Sequence, residues 1–476
     1  MLLLQKKTSD TKETYKKLNY NKLWNPTGDP FVDAGGYALK FLSEQFPEMD
    51  LLDLIIYATD IYVDKWNAKI NTFFLNSNIT QPSFKPSEKK SNTKKYFSDL
   101  LNNSIPYQTG VCRIIGHETE LFPVGRHLSV LSGSGRFVNF HHSFEKGLML
   151  SKEAIIRYHF LPLACELLQA NICVIGCSNP IISEYYSKSC CSKNQYLIGM
   201  NQSDGVLKNS AKSQGTALFR FVDSLLSDLP DCQNNITISL YHFTNFGASP
   251  DLTIYTLPFM AFFFYRETQK RQYKDSWNAF VNSYYRNSEY KNLSFNKETS
   301  VFIGLEKKNE VEIQESDYKY WRNIIYDKLL NNVSILQYIR KWSIENNFSI
   351  ELLNCYLINI RYMKQETLSK LNQIADFILQ NTKEVDMKKT LTKLNGINSA
   401  YLLRRFILKV VEKNYVQGNP QPIITVEDYT DYLFPETGSW LEMRDVLLIY
   451  LYQKLHEQNK LIKMDDIELT DDEPIN

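Results

Sequence analysis

The sequence predicts an α+β fold: a mixed N-terminal region with short strands and a small irregular β unit, followed by an all-helical C-terminal bundle. Three observations lead there. Residues 35–77 repeat apolar side chains every three or four positions, as in "GGYALKFLSEQF" and "DLLDLIIYATDIYVDKWNAKINTFFLNS", the period of amphipathic helices. Between 107 and 150 the text changes to short runs, "GVCRIIG", "HLSVL" and "GRFVNFHH", divided by Gly and Ser in the manner of short strands. Beyond about 270 helical periodicity dominates, broken by a polar segment at 305–316 and by "GNPQP" at 418–422.

Each element has its own signal. Residues 24–38, "WNPTGDPFVDAGGYA", crowd backbone-bending residues around few side chains and feed the first helix. Gly28, Asp29 and Pro30 shape this turn, Asp33 is its expected helix N-cap, and Gly35 and Gly36 soften the first helical turn. Asp50 is the expected cap of the second helix. Residues 77–95 carry five lysines against Glu88 and read as a solvated loop; "SGSGR" at 132–136 reads as an ordinary turn. A helix starting at Ser151, "SKEAIIRYHFLPLACELLQA", is expected to kink at Pro162 and lead into the buried strand "NICVIGC". Further strands are expected at "NITISLYHF" and "LTIYTL". This divides the chain into an N-terminal region, 1–345, with the β unit at about 107–150, and a C-terminal bundle, 346–476, ending in an acidic tail at 464–476.

Charge is informative only locally, because the whole chain carries a formal +1. Residues 361–413 hold eleven Lys or Arg against five acids, and 461–476 hold one Lys against six acids. In "SAYLLRRFILKVVEK", Leu402, Leu403, Phe406, Ile407 and Val410 form an apolar face, while Arg405, Lys409 and Lys413 recur every four residues. Such a stripe tracks a phosphate backbone, or solvates a helix.

The eight cysteines are scattered, which points away from a disulfide framework and toward a reducing compartment. "MLLLQKKTSD" lacks the apolar core of a signal peptide, and the longest apolar run, 252–265, is too short to span a bilayer and contains Pro258. A cytoplasmic protein without a membrane partner is expected. The sequence holds no GxxxxGK[ST], GxSxG, HExxH or GxGxxG. Adjacent His141 and His142 would point to opposite faces of a strand, Cys173 and Cys177 read as buried thiols, and Cys190 and Cys191 sit in a Ser/Lys loop unsuited to a tetrahedral site. No enzyme activity and no cofactor are expected.

Three blocks, taken in order, carry a resemblance: "TGDPFVDAG" at 27–35, "LYHFTNFGASPDLTIYTLP" at 240–258 and "WLEMRDVLLIYLYQKLH" at 440–456. They resemble the large subunit of the type I-B CRISPR surveillance complex, Cascade, in the branch named for paired CXXC motifs. Asp29 stands where that family is expected to have Asn. The family's zinc-ligand positions fall at Cys112, Ile115, Ser151 and Ala154, so one thiol of four remains. Zinc in a structural site takes four Cys or His ligands. The resemblance therefore implies a β unit kept without metal, with Ile115 and Ala154 packing in its place.

The resemblance further implies a non-catalytic subunit that binds the guide RNA 5′ end, reads the PAM of double-stranded target DNA and supports R-loop formation. Its partners would be the other Cascade backbone subunits and a downstream helicase-nuclease or transposition machinery. Contact residues are expected among Asn25, Thr27, Arg126, Arg136, Asn139, His141 and His142 in N-terminal loops. Arg404, Arg405, Lys409 and Lys413 would hold the displaced single strand. A separate small subunit is expected from an internal start at Met363 or Met387. A protein-binding helical scaffold and an enzyme with a dispersed active site are the alternatives that composition leaves open.

Overall fold

The computed structural model describes residues 20–132, 147–232, 235–247, 250–307, 309–436 and 438–460. The fold is α+β, with helices outweighing four small antiparallel sheets. Contacts divide it into two compact units, Met1–Pro258 and Phe259–Asn476.

In the first unit, helix α1 (Pro30–Gln45) begins where Asp29 turns its carboxylate onto the amides of Phe31 and Val32, at 2.9 and 2.8 Å. Asp29 is therefore the cap, and Asp33, expected in that role, lies one turn inside the helix. Pro30 sets this start: its fixed φ suits the first helical position and its missing N–H needs no partner there. Helix α2 (Leu51–Asp60) is capped as expected, by an Asp50–Asp53 capping box, and runs into a π turn at Ile61–Lys65. Helix α3 (Pro86–Leu101) occupies much of the expected loop at 77–95. Its lysines fill the first turns, while Phe97, Leu100 and Leu101, which anchor it, fall past residue 95. The charge run hid the helix.

Strands β1 (Gln108–Val111), β2 (Glu118–Val124) and β3 (Leu148–Leu150) form one antiparallel sheet. Helix α4 (Lys152–Phe160) follows, capped by Ser151 Oγ, which accepts from Ala154 N at 3.3 Å. Pro162 ends this helix rather than kinking it, within a 3-10 turn at Leu161–Ala164. Residues Glu166–Leu168 are strand β4, not helix, and pair with β5 (Asn171–Cys177). Strands β6 (Ile238–Thr244) and β7 (Asp251–Leu257) complete a sheet in the order β4-β5-β6-β7. Helix α5 (Pro180–Gly199) carries Cys190 and Cys191, both buried, where a loop was expected. Helix α6 (Gln214–Asp228) completes the unit. Helix α1 packs against α4 and α5, and the core runs from Leu23 to Phe243.

Every residue of α4 is buried, His159 included. Its Nε2 lies 3.1 Å from Thr59 Oγ1 and 3.2 Å from Ile55 O, and burial pushes its pKa down from 6.5 to about 4. The neutral ring's contribution is complete above pH 6.5 and is lost as pH falls toward 4, where the unfolded chain takes up a proton that the folded chain refuses. Urea titrations across this window are expected to show about 3 kcal/mol lost to this group, with a shallower pH slope in His159→Gln. Equal slopes would exclude the effect.

The second unit opens with α7 (Phe259–Thr268) and α8 (Arg271–Asn282). Strands that the sequence did not announce follow. β8 (Tyr285–Arg286) pairs with β12 (Arg322–Asn323), and β9 (Lys291–Asn296), β10 (Val301–Glu306) and β11 (Asn309–Ile313) form a meander. Their outward residues are Asn, Lys and Glu, poor strand formers, so the period-two signal is faint. The short turn α9 (Glu315–Tyr318) precedes β12, and helices then take over. These are α10 (Ile324–Leu330), α11 (Leu336–Ser343), α12 (Ile350–Asn359), α13 (Gln365–Asn381), α14 (Glu384–Asn395), α15 (Ala400–Val416) and α16 (Trp440–Glu457). Val446–Leu451 are all buried, as suits a helix packed on several sides by α11, α13, α14 and α15. The boundary expected at 345/346 falls inside this unit, because α11 packs on α16. Among the described residues, no helix is long and apolar enough to cross a membrane.

Candidate nucleic-acid interface

The loop at 24–30 is held by one buried ion pair. Arg157, fully enclosed on α4, donates Nε to Val32 O at 2.8 Å, Nη1 to Lys22 O at 3.1 Å and Asn25 O at 2.9 Å, and Nη2 to Asp33 Oδ1 at 2.6 Å. Asp33 in turn accepts from the amides of Thr27 and Gly28, at 2.9 and 3.0 Å, and from Thr27 Oγ1 at 2.7 Å. Charge-assisted bonds of this kind fix geometry as well as energy. Gly35 and Gly36, read from the sequence as softeners, instead allow close approach. A Cβ on Gly35 would lie 1.9 Å from Arg157 O, and one on Gly36 2.7 Å from Leu23 O.

Consequently the loop's polar side chains are mostly spoken for. Thr27 Oγ1 also accepts from Asp29 N at 3.1 Å, so its hydroxyl is engaged within the turn. The Asn25 side chain and Gly28 are exposed. Gly28 has φ +90°, and a Cβ there would meet nothing within 4 Å, although its N–H is held by Asp33. Arg126 does not project as a free contact either: Nη2 donates to the carbonyls of Asn245 and, at 3.0 Å, of Gly247. Buried Asn245 bonds Phe73 O at 2.7 Å and Ser129 O at 3.2 Å, tying the second landmark block to two distant loops. Arg136, Asn139, His141 and His142 lie outside the described residues.

Two pairs of sequence landmarks meet in space. Phe31, from the first block, sets its ring edge-on to Tyr241 and Phe243 of the second, with centroids 5.6 and 4.7 Å apart. Cys112 and Ser151, two of the four zinc-ligand positions implied by the resemblance, also meet: Ser151 N donates to Cys112 Sγ at 3.4 Å. Cys112–Gly116 forms a tight turn, closed by Gly116 N to Cys112 O at 2.9 Å, with Gly116 at φ +73°. Ala154 is buried and Ile115 is half-buried against the same core. Among the described residues no three His, Cys, Asp or Glu side chains gather as a metal set.

In the second unit α15 exposes Arg404, Arg405, Lys409 and Lys413, while Leu403, Phe406, Ile407 and Val410 are buried. Leu402, assigned from the sequence to the apolar face, is 39% exposed because it falls just outside the buried arc. The Arg404 guanidinium lies 5.2 Å from the Phe434 ring centre, and Lys413 Nζ donates to Asn381 O. Lys409 and Lys413 border a groove of about 270 Å³, joined there by Lys393 of α14, with Phe377 and Phe406 also lining it and no acidic residue. Lys393 was missed from the sequence, since 16 residues separate it from Lys409. Arg157 was missed for a similar reason, because nothing local distinguishes it from a surface arginine.

Met363 lies in the link between α12 and α13, whereas Met387 lies inside α14. A product starting at Met363 would keep α13 to α16 whole; one starting at Met387 would lose all of α13 and the start of α14. No protein-family model matches the chain, and no curated protein matches it.

Proposed function

We propose that the chain is the large subunit of a type I-B CRISPR surveillance complex, acting by nucleic-acid recognition rather than catalysis. The observation that carries this reading is the contact between Cys112 Sγ and Ser151 N. The resemblance assigned both positions to one metal site from their order along the chain, and they lie 39 residues apart in sequence. The contact of Phe31 with Tyr241 and Phe243 supports it in the same way, since it joins two landmark blocks.

In this reading base pairing with the guide RNA supplies sequence, while the protein reads the PAM duplex and backbone shape. The 24–30 loop, offering the Asn25 side chain and the open surface at Gly28 from a rigid base, belongs to the guide and PAM side. The lysine groove on α14 and α15, with Arg405 one turn before Lys409 on α15, holds displaced single strand through phosphate charge and ring stacking on Phe377. Backbone subunits and a helicase-nuclease or transposition effector complete the assembly, and Met363 is the internal start that spares whole helices. The cytoplasm is its proposed location.

Expressed with its flanking genes, the chain is expected to co-purify with a guide RNA. The triple variant Arg405→Glu, Lys409→Glu, Lys413→Glu should weaken single-stranded DNA binding and flatten the salt dependence by roughly 2 in log–log slope, about 0.7 per lost phosphate contact. Guide association should persist. An RNA-free complex whose DNA affinity and salt slope are unchanged by the three reversals would return the chain to the scaffold class.

A further inference from the structure

The second unit buries two guanidinium groups against one carboxylate. Asp445 Oδ1 accepts from Arg340 Nη1 at 2.8 Å and from Arg444 Nε and Nη2 at 3.0 and 2.8 Å. Arg340 is 7% exposed and Asp445 3%. Arg444 has a further acceptor, Ile397 O at 2.6 Å, but the enclosed Nε of Arg340 has no partner. A buried cation without full counter-charge is costly, and a buried donor without an acceptor adds to the cost. Burial accordingly draws the pKa of Arg340 down, with Asp445 opposing and Arg444 reinforcing the fall.

This cluster opens onto a cavity of about 920 Å³. Arg361 also lines it but is already neutralised, with Nε 2.8 Å from Glu442 Oε1. Three guanidiniums therefore face two carboxylates, leaving one positive charge. The cavity also takes in Ser439, Trp440 and Leu441, the N-terminus of the 18-residue α16, where the helix dipole and first-turn amides favour an anion. Asn395 also lines the cavity, and its Oδ1 is enclosed without a donor.

We propose that this cavity binds a phosphate ester. The phosphate completes the charge at Arg340 and the start of α16. The remainder of the ligand, for which one phosphate leaves ample room, offers an N–H or O–H to Asn395. The volume lies in the range of small-molecule sites, so a nucleotide fits. The ester comes either from a free nucleotide or from the phosphorylated end of a strand. The proposal rests on the charge balance of this cavity and is independent of the CRISPR reading.

The test uses the full-length chain, with pyrophosphate, ATP and a 5′-phosphorylated oligonucleotide titrated calorimetrically at constant ionic strength. Saturable binding is expected, and Arg340→Lys, which keeps the charge but removes the planar Nε–H, should weaken it roughly tenfold. Asn398→Glu places a carboxylate on an exposed residue that lines the cavity, and should weaken binding without lowering the thermal midpoint. It carries the test if Arg340→Lys does not fold. ATP displacing pyrophosphate identifies a free nucleotide; the oligonucleotide doing so identifies a strand end. Absence of saturable binding by all three probes, or affinities unmoved by every folded variant, overturns the proposal.

Discussion

Arg157→Met is expected to lower unfolding stability by about 3–5 kcal/mol, the usual cost of removing one partner from a buried ion pair, and to loosen residues 22–33 before the rest of the first unit. The substitution approximates the side chain's length, so lost packing is a minor part. What remains is Asp33 without its cation, and the carbonyls of Lys22, Asn25 and Val32 without their donor. Asp33→Asn should cost less, because an amide oxygen still accepts from Thr27 and Gly28. The double variant should lose less than the sum of the single variants, as expected for groups in direct contact. Urea unfolding gives the energies, and hydrogen exchange at 27–33 gives the local effect. A loss near 1 kcal/mol, within the range of an ordinary hydrogen bond, would show that the pair is not what holds the loop.

Gly35→Ala is the second large effect. Its Cβ would sit 1.9 Å from Arg157 O and 2.8 Å from the carbonyl carbon, both main-chain atoms of α4. A flexible side chain could swing aside, but a helix backbone in a packed core cannot. The helices must separate, exposing core and stretching the four bonds made by Arg157. A loss of about 3 kcal/mol or more is expected, at the upper end of overpacking effects, with soluble yield falling in step. By contrast Gly28→Ala meets nothing in space and is strained only by its φ of +90°, so about 1 kcal/mol is expected. Comparable losses at the two positions in thermal melts would mean that close helix approach is not the reason for glycine at 35.

The contrast between these glycines shows what the sequence revealed and what it withheld. Helices with unbroken apolar periodicity, such as α2 and α16, could be read directly, as could strands β5, β6 and β7, because each signal lies within one element. Caps chosen by neighbours three residues away were readable at Asp50 and Ser151, but not at Asp33, where Pro30 moved the start upstream. Helix α3 was lost under its lysines, and β9 to β11 under polar strand faces. The site is less accessible still. Arg157 reaches its loop across 124 residues to Asp33, and Lys393 and Lys409 converge from different helices. Thr27 and Arg126 looked like free donors because sequence does not reveal which carboxylate or carbonyl already engages them. The Cys112–Ser151 contact joins two positions that only the resemblance had grouped together.

The bracing of the 24–30 loop also bears on discrimination. A surface that must order itself on contact spends part of the association energy on that ordering and can adjust to partners of several shapes. Here Asp33 and Arg157 impose the loop's shape when the chain folds. In the proposed role, an encounter loses little conformational entropy on this side, and a partner that mismatches the loop at Gly28 cannot recover the misfit by remoulding it. Selectivity at this surface would come from steric refusal more than from added attraction.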